Sequence, residues 1–148
     1  MNAKELMIGD WVINTEGKEQ IRDVVRKISP EFLGLRYSRR YVPIECIEPI
    51  PLTPKLLVAN GFDITETLNE FYSVTLCKIQ GPKGSWFEDL GQRVSFLYDK
   101  HGDSIFPIVS LNNNDHDNIM GSFKYVHQLQ HAFRMLQYDD LADNFKVI

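Results

Sequence analysis

The sequence predicts an α+β protein: a small N-terminal β-barrel, a stiff proline connector, then an antiparallel sheet carrying two helices. Three observations carry that expectation. The first fifty residues hold four or five short β-branched segments separated by tight turn signals. Pro49-Ile50-Pro51-Leu52 then stiffens the chain, because each proline fixes φ and restricts its neighbour. Beyond it, β-rich segments lie between a well-capped short helix and an amphipathic one near the C-terminus. The expected division is a barrel-like domain over 1–50 and an α+β domain over 51–148, packed closely on the first.

Taken in order, Leu6 to Ile13 leads through Gly9-Asp10 into a strand, and Thr15-Glu16-Gly17-Lys18 supplies a turn. Ile21 to Ile28 has the composition of a second strand, although its Arg-Asp-Val-Val-Arg-Lys centre could be helical in isolation; Ser29-Pro30 ends it. Phe32 to Tyr37 and Tyr41 to Ile47 read as a hairpin around Ser38-Arg39-Arg40. Strands this short and this closely spaced suit a barrel of the Src-homology-3-like kind. After the connector, Thr53 as N-cap, Pro54 at the first helical position and Gly61 past the end define a helix over Pro54 to Asn60. Leu52 is placed to staple onto Leu57, and Phe62 to fold back on the last turn.

The middle reads as strands at Phe71 to Ile79, Val94 to Tyr98 and Ser104 to Ser110. The last two form a hairpin, and Pro107 places the second of them at an edge. Gln80 to Gly84 is a turn, residues 85–91 a helical turn, and Asn112 to Asn118 a polar loop. The final helix runs through Tyr125 to Leu136. At 100° per residue, Tyr125, Val126, Leu129, Ala132, Phe133 and Leu136 fall within an arc of roughly 120° and would cover the second sheet.

The 148 residues are 43% hydrophobic and 24% charged, the balance of a folded chain rather than a disordered one. No apolar run approaches the roughly 20 residues that cross a bilayer, and the N-terminus has no secretory pattern. Cys46 and Cys77 lie far apart, which fits two free thiols in a reducing compartment, with one disulfide as the alternative. A cytoplasmic setting follows. The net charge of −4 argues against general nucleic-acid affinity, yet it is uneven: residues 1–48 carry eight basic and eight acidic side chains, so the deficit lies in the rest.

Three clusters invite chemistry. His127 and His131 stand four apart, as paired metal ligands on a helix do, with Arg134 beside them. Gln128 stands where a zinc protease would place its glutamate, so the plainer reading is a solvated polar face made of His127, His131 and Arg134. Asn113 to Asp117 offers alternate oxygen ligands, but Asn118 and Lys124 replace the glycine and glutamate of a calcium loop. Arg36-Tyr37-Ser38-Arg39-Arg40-Tyr41 interleaves cations with aromatics, a pattern that grips phosphates and stacks bases. A solvated turn is its bland counterpart. No phosphate-binding glycine loop, Gly-x-Ser-x-Gly or cysteine-nucleophile motif occurs, and no metal or other cofactor is expected.

Pro49-Ile50-Pro51-Leu52-Thr53-Pro54, Leu56-Leu57, Gly61-Phe62 and Tyr125-Val126-His127-Gln128-Leu129-Gln130 together resemble a family of short uncharacterised proteins of gut bacteria and their phages or mobile elements. The opening Glu5-Leu6-Met7-Ile8-Gly9-Asp10-Trp11-Val12 is similar to that family's usual start. His131-Ala132-Phe133 and the segment from Gln137 to Leu141 depart from its pattern, and residues 65–120 match nothing in it. The resemblance implies a prokaryotic or phage setting and no activity. The functional expectation is therefore non-catalytic binding of a protein or nucleic-acid partner. The alternative is an enzyme whose metal or histidine site is assembled from distant residues such as His101, His116, Asp117 and His127.

Overall fold

The computed structural model describes the backbone of residues 1–66, 71–79, 92–99, 105–110, 118–119, 123–135 and 138–148, and the side chains of 1–65, 123–135 and 138–148. The chain forms two compact units. The first comprises Met1–Pro51, Tyr125–Met135 and Asp139–Val147; the second comprises Leu52–Lys124, Leu136–Tyr138 and Ile148.

In the first unit, β1 (Trp11–Asn14), β2 (Ile21–Ile28), β3 (Phe32–Leu35), β4 (Tyr41–Pro43) and β5 (Ile47–Pro49) form an antiparallel sheet in the order β4-β3-β2-β1-β5. The ambiguous stretch Ile21–Ile28 is thus a strand. Its isoleucines and valines favour extended backbone, and it takes the centre of the sheet. The pairing of β1 with β5 puts Ile13 opposite Glu48, and a bulge between Val25 and Lys27 shifts the β2–β3 register. The expected barrel is corrected by this topology. β4 and β5 are the two edges, each three residues long and joined by a single 3-10 turn, Ile44–Cys46. Closure needs a ladder between those edges, and the sheet is open.

Side-chain alternation decides what the sheet buries. Leu6, Val12, Val25, Leu33, Leu35, Val42 and Ile47 form the core, with Met1, Ile28, Ile44 and Cys46 packed against it. Full burial of each of the larger side chains contributes about 1.5–3 kcal/mol. Cys46 is a free thiol.

The terminal helices, α2 (Val126–Met135) and α3 (Asp139–Asp143), belong to this unit. This departs from the expectation that the last helix would cover the second sheet. Its start is tied to the end of the N-terminal sheet instead: Pro51 and Tyr125 form an antiparallel bridge, and Val126 N donates to Ile50 O at 3.0 Å. The Gln128 side chain reaches back to accept from Tyr125 N at 3.2 Å, completing the first turn.

The second unit opens on α1 (Pro54–Ala59). Thr53 Oγ1 accepts from Leu56 N at 3.3 Å, Gly61 adopts φ +84°, and Phe62 N donates to Leu57 O, so the helix ends as its sequence dictates. β6 (Asp63–Glu66), β7 (Phe71–Ile79), β8 (Gln92–Asp99), β9 (Ile105–Ser110) and β10 (Asn118–Ile119) form a second antiparallel sheet, ordered β10-β9-β8-β7-β6. β10 pairs with Ile108 and Val109, so β9, which Pro107 was expected to place at an edge, is flanked by β8 and β10. The expected turn at 80–84, the helical turn at 85–91, and His101, Asn112 to Asp117 and His116 lie outside the described residues. Among the described residues no helix is long and apolar enough to cross a membrane.

Candidate functional site

The arginine–tyrosine turn is built on a buried carboxylate. Asp23 has no exposed surface. Its Oδ1 accepts from Val24 N at 2.7 Å and Tyr37 N at 2.8 Å; its Oδ2 accepts from Ser38 N at 2.8 Å and the Ser38 hydroxyl at 2.5 Å. Burial pushes the Asp23 carboxyl up, but the Ser38 hydroxyl and the three backbone donors outweigh it and hold it below the ordinary value. Leu35 N donates to Arg40 O at 3.0 Å to close the loop, and Arg36 N donates to Val24 O at 2.9 Å. Arg39 stands in left-handed backbone at φ +52°, unusual for a residue with a Cβ. The anchoring uses backbone and one serine, so every cation of the turn is left to solvent. Arg36, Tyr37, Arg39, Arg40 and Tyr41 are all exposed.

The sheet extends this patch. Val12 points into the core, so its neighbour Trp11 points to the opposite face. There the Tyr37 ring stands 5.8 Å from the indole, tilted by 31°. Trp11 is itself fixed, donating through Nε1 to Phe145 O at 2.8 Å. On the same face Gly34 pairs with both Lys27 and Tyr41, and a Cβ on Gly34 would lie 3.0 Å from Lys27 Cβ and 3.4 Å from Tyr41. The missing side chain lets Lys27 Nζ sit 5.7 Å above the Tyr41 ring. Phe32, two residues before Gly34, is 43% exposed on this face; Tyr41 is 65% and Tyr37 59% exposed. Residues 21–43, which make up β2 to β4, hold six cations (Arg22, Arg26, Lys27, Arg36, Arg39, Arg40) against Asp23 and Glu31, a surplus of four in a chain whose net charge is −4. One of those two acids lies beneath the turn.

The histidine helix presents a different arrangement, and it corrects the expected solvated face. His127 is buried, and His131 and Arg134 turn inward to Asp10. Asp10 is also without exposed surface; its Oδ1 accepts from Arg134 Nη1 at 2.7 Å, and its Oδ2 from Met7 N and His131 Nε2, both at 2.7 Å. With the guanidinium beside it the carboxylate is an acceptor, so Nε2 of His131 is the donor. Arg134 Nη2 reaches Asp143 Oδ1 at 3.4 Å. Gly9 explains itself here: its φ is +94°, and a Cβ would lie 2.7 Å from Arg134 Nη2. Next to it, buried Gln130 accepts from Trp11 N at 3.0 Å and donates to Gly9 O at 3.2 Å and Ala142 O at 2.8 Å. These bonds tie β1, α2 and α3 into one piece.

His127 completes the cluster without joining its hydrogen bonds. Its ring stacks on Tyr125 at 5.8 Å and meets the His131 ring edge-on at 5.7 Å, and its buried Nδ1 has no partner among the described residues. Burial pushes its pKa below the ordinary 6.5 and His131 adds to that, while Asp10 and Glu5 pull the other way. No three His, Cys, Asp or Glu side chains among the described residues are grouped to hold a metal. Both Asp10 oxygens are engaged and shielded from solvent, so this cluster acts as a structural tie. Of the two sets of candidate residues, the structure places one, Arg36, Tyr37, Arg39, Arg40 and Tyr41, at the surface. It folds the other, His127, His131 and Arg134, inward.

The sequence reading missed Asp10, Asp23, Gln130 and Trp11 as organising residues. Asp23 carried a signal, an acid inside a β-branched strand where Asp is disfavoured. The side-chain partners of Asp10 lie 121 and 124 residues away, beyond any local pattern. Comparison with protein-family profiles, curated proteins and solved structures finds no match.

Proposed function

We propose that the chain is a non-catalytic nucleic-acid-binding accessory protein, in the bacterial or phage setting that the sequence resemblance implies. The observation that carries this reading is the Asp23-anchored turn, which holds Arg36, Arg39 and Arg40 outward with no carboxylate of the turn to neutralise them. A phosphate chain binds by releasing counterions from such cations, and a fixed loop loses little entropy on binding. The overall charge of −4 does not oppose this, because the surplus of positive charge is local to β2–β4 and all but two of the acids lie elsewhere.

The test is the salt dependence of oligonucleotide binding. Each phosphate contact contributes about 0.7–0.9 to the slope of log K against log salt, so three arginines give a slope of about −2 to −3. Arg39→Ala/Arg40→Ala reduces it to about −1 and weakens binding at every salt concentration. Equal affinity and slope in the double variant would remove the reading.

A further inference from the structure

Resting on that reading, we infer that the strand bound is single and unpaired, its bases stacking on Tyr37 and Tyr41 while the arginines take its phosphates. Exposed rings and exposed cations occur together along residues 36–41. Tyr37 and Tyr41 flank Arg39 and Arg40 in sequence and present exposed rings, with Phe32 exposed as well. Each of the two tyrosines is backed: Tyr37 by the Trp11 indole, Tyr41 by the Lys27 ammonium across the Gly34 notch. A ring held from behind loses little freedom when a base covers its front. In a duplex the base faces are already occupied by their neighbours, so exposed rings add nothing there; on a single strand every base has a free face.

The rest of the unit argues the same way. One common way to read a duplex is a helix that enters the major groove. Of the helices in this unit, α2 has its Arg134 and His131 committed to Asp10, and α3 carries Asp139, Asp140 and Asp143. Neither offers a groove a cationic face. The cations and rings lie instead on an open sheet, the geometry that accepts a splayed strand.

Fluorescence anisotropy at about 0.1 M salt with labelled oligomers of about 12 nucleotides tests the inference, using oligo-dT, oligo-U, a mixed-sequence duplex of the same length and poly-glutamate as probes. The expected result is at least tenfold tighter binding of the single strands than of the duplex. Tyr37→Ala and Tyr41→Ala each weaken single-strand binding roughly tenfold, and Tyr37→Phe and Tyr41→Phe restore it. Because Tyr37 packs on Trp11, melting curves accompany each variant; the highly exposed Tyr41 gives an independent arm if Tyr37→Ala unfolds. Duplex binding as tight as single-strand binding, or full affinity in a folded Tyr41→Ala protein, overturns the inference while leaving nucleic-acid binding standing. Capture of poly-glutamate with no oligomer bound overturns both.

Discussion

Asp10 and Asp23 are both carboxylates without exposed surface in the same small unit, and they do opposite things with the cations around them. Asp10 is satisfied mainly by side chains: Arg134 and His131 are drawn inward and bonded to it. Asp23 is satisfied by backbone N–H groups and one hydroxyl, so Arg36, Arg39 and Arg40 remain outside and unspent. A buried acid does not announce whether nearby cations are structural or available. The donors that satisfy it decide that.

Substitutions at the two acids sharpen the contrast, and the largest effect falls at Asp10. Asp10→Ala strands Arg134 and His131 without their shared acceptor, a loss of about 3–5 kcal/mol for a broken buried pair, visible as a large fall in Tm. Asp23→Ala loses donors to a charged acceptor, about 2–3 kcal/mol. It also releases the turn, so oligonucleotide affinity falls with stability. If Asp23→Ala left both unchanged, the anchoring account would be wrong. Gly9→Ala comes next, at about 1–2 kcal/mol, since left-handed backbone disfavours a Cβ and Arg134 must shift; denaturant midpoints would show it.

The pH dependence separates Asp23 from His127. His127 has a folded pKa below 6.5, so as pH falls below that value the unfolded chain takes up a proton that the folded chain refuses. Stability therefore drops with acidification, by at most about 1.4 kcal/mol per pH unit, until the folded pKa is reached. The stabilisation from Asp23 runs in a lower window. It is present above the ordinary carboxylate value of 3.8 and lost as pH falls through the lowered folded value. His127→Phe abolishes the upper slope and leaves the lower one; persistence of the upper slope in that variant would assign it elsewhere.

How much of this was legible differs between the two regions. The hairpin and its exposed Arg39 and Arg40 were readable because turn chemistry and alternation are local, as was the Thr53–Gly61 helix with its caps. The open edges of the sheet were not, since closure is a property of which strands meet, and strand composition does not encode it. The inward turn of His131 and Arg134 was hidden for a related reason. Helical periodicity sorts residues by polarity, and it reads a buried polar residue as solvated unless its partner is known. Gln130, buried with three backbone partners, shows the same failure on the same helix.

The most direct test compares two arginine substitutions in both stability and binding. Arg39→Ala/Arg40→Ala should melt within about 0.5 kcal/mol of the parent yet lose most single-strand affinity. Arg134→Ala should melt far lower yet, below its transition, bind the same oligomer as the parent does. A double variant that binds normally, or an Arg134→Ala protein that stays folded and fails to bind, would contradict the assignment of the outer cations to the ligand and the inner one to the fold.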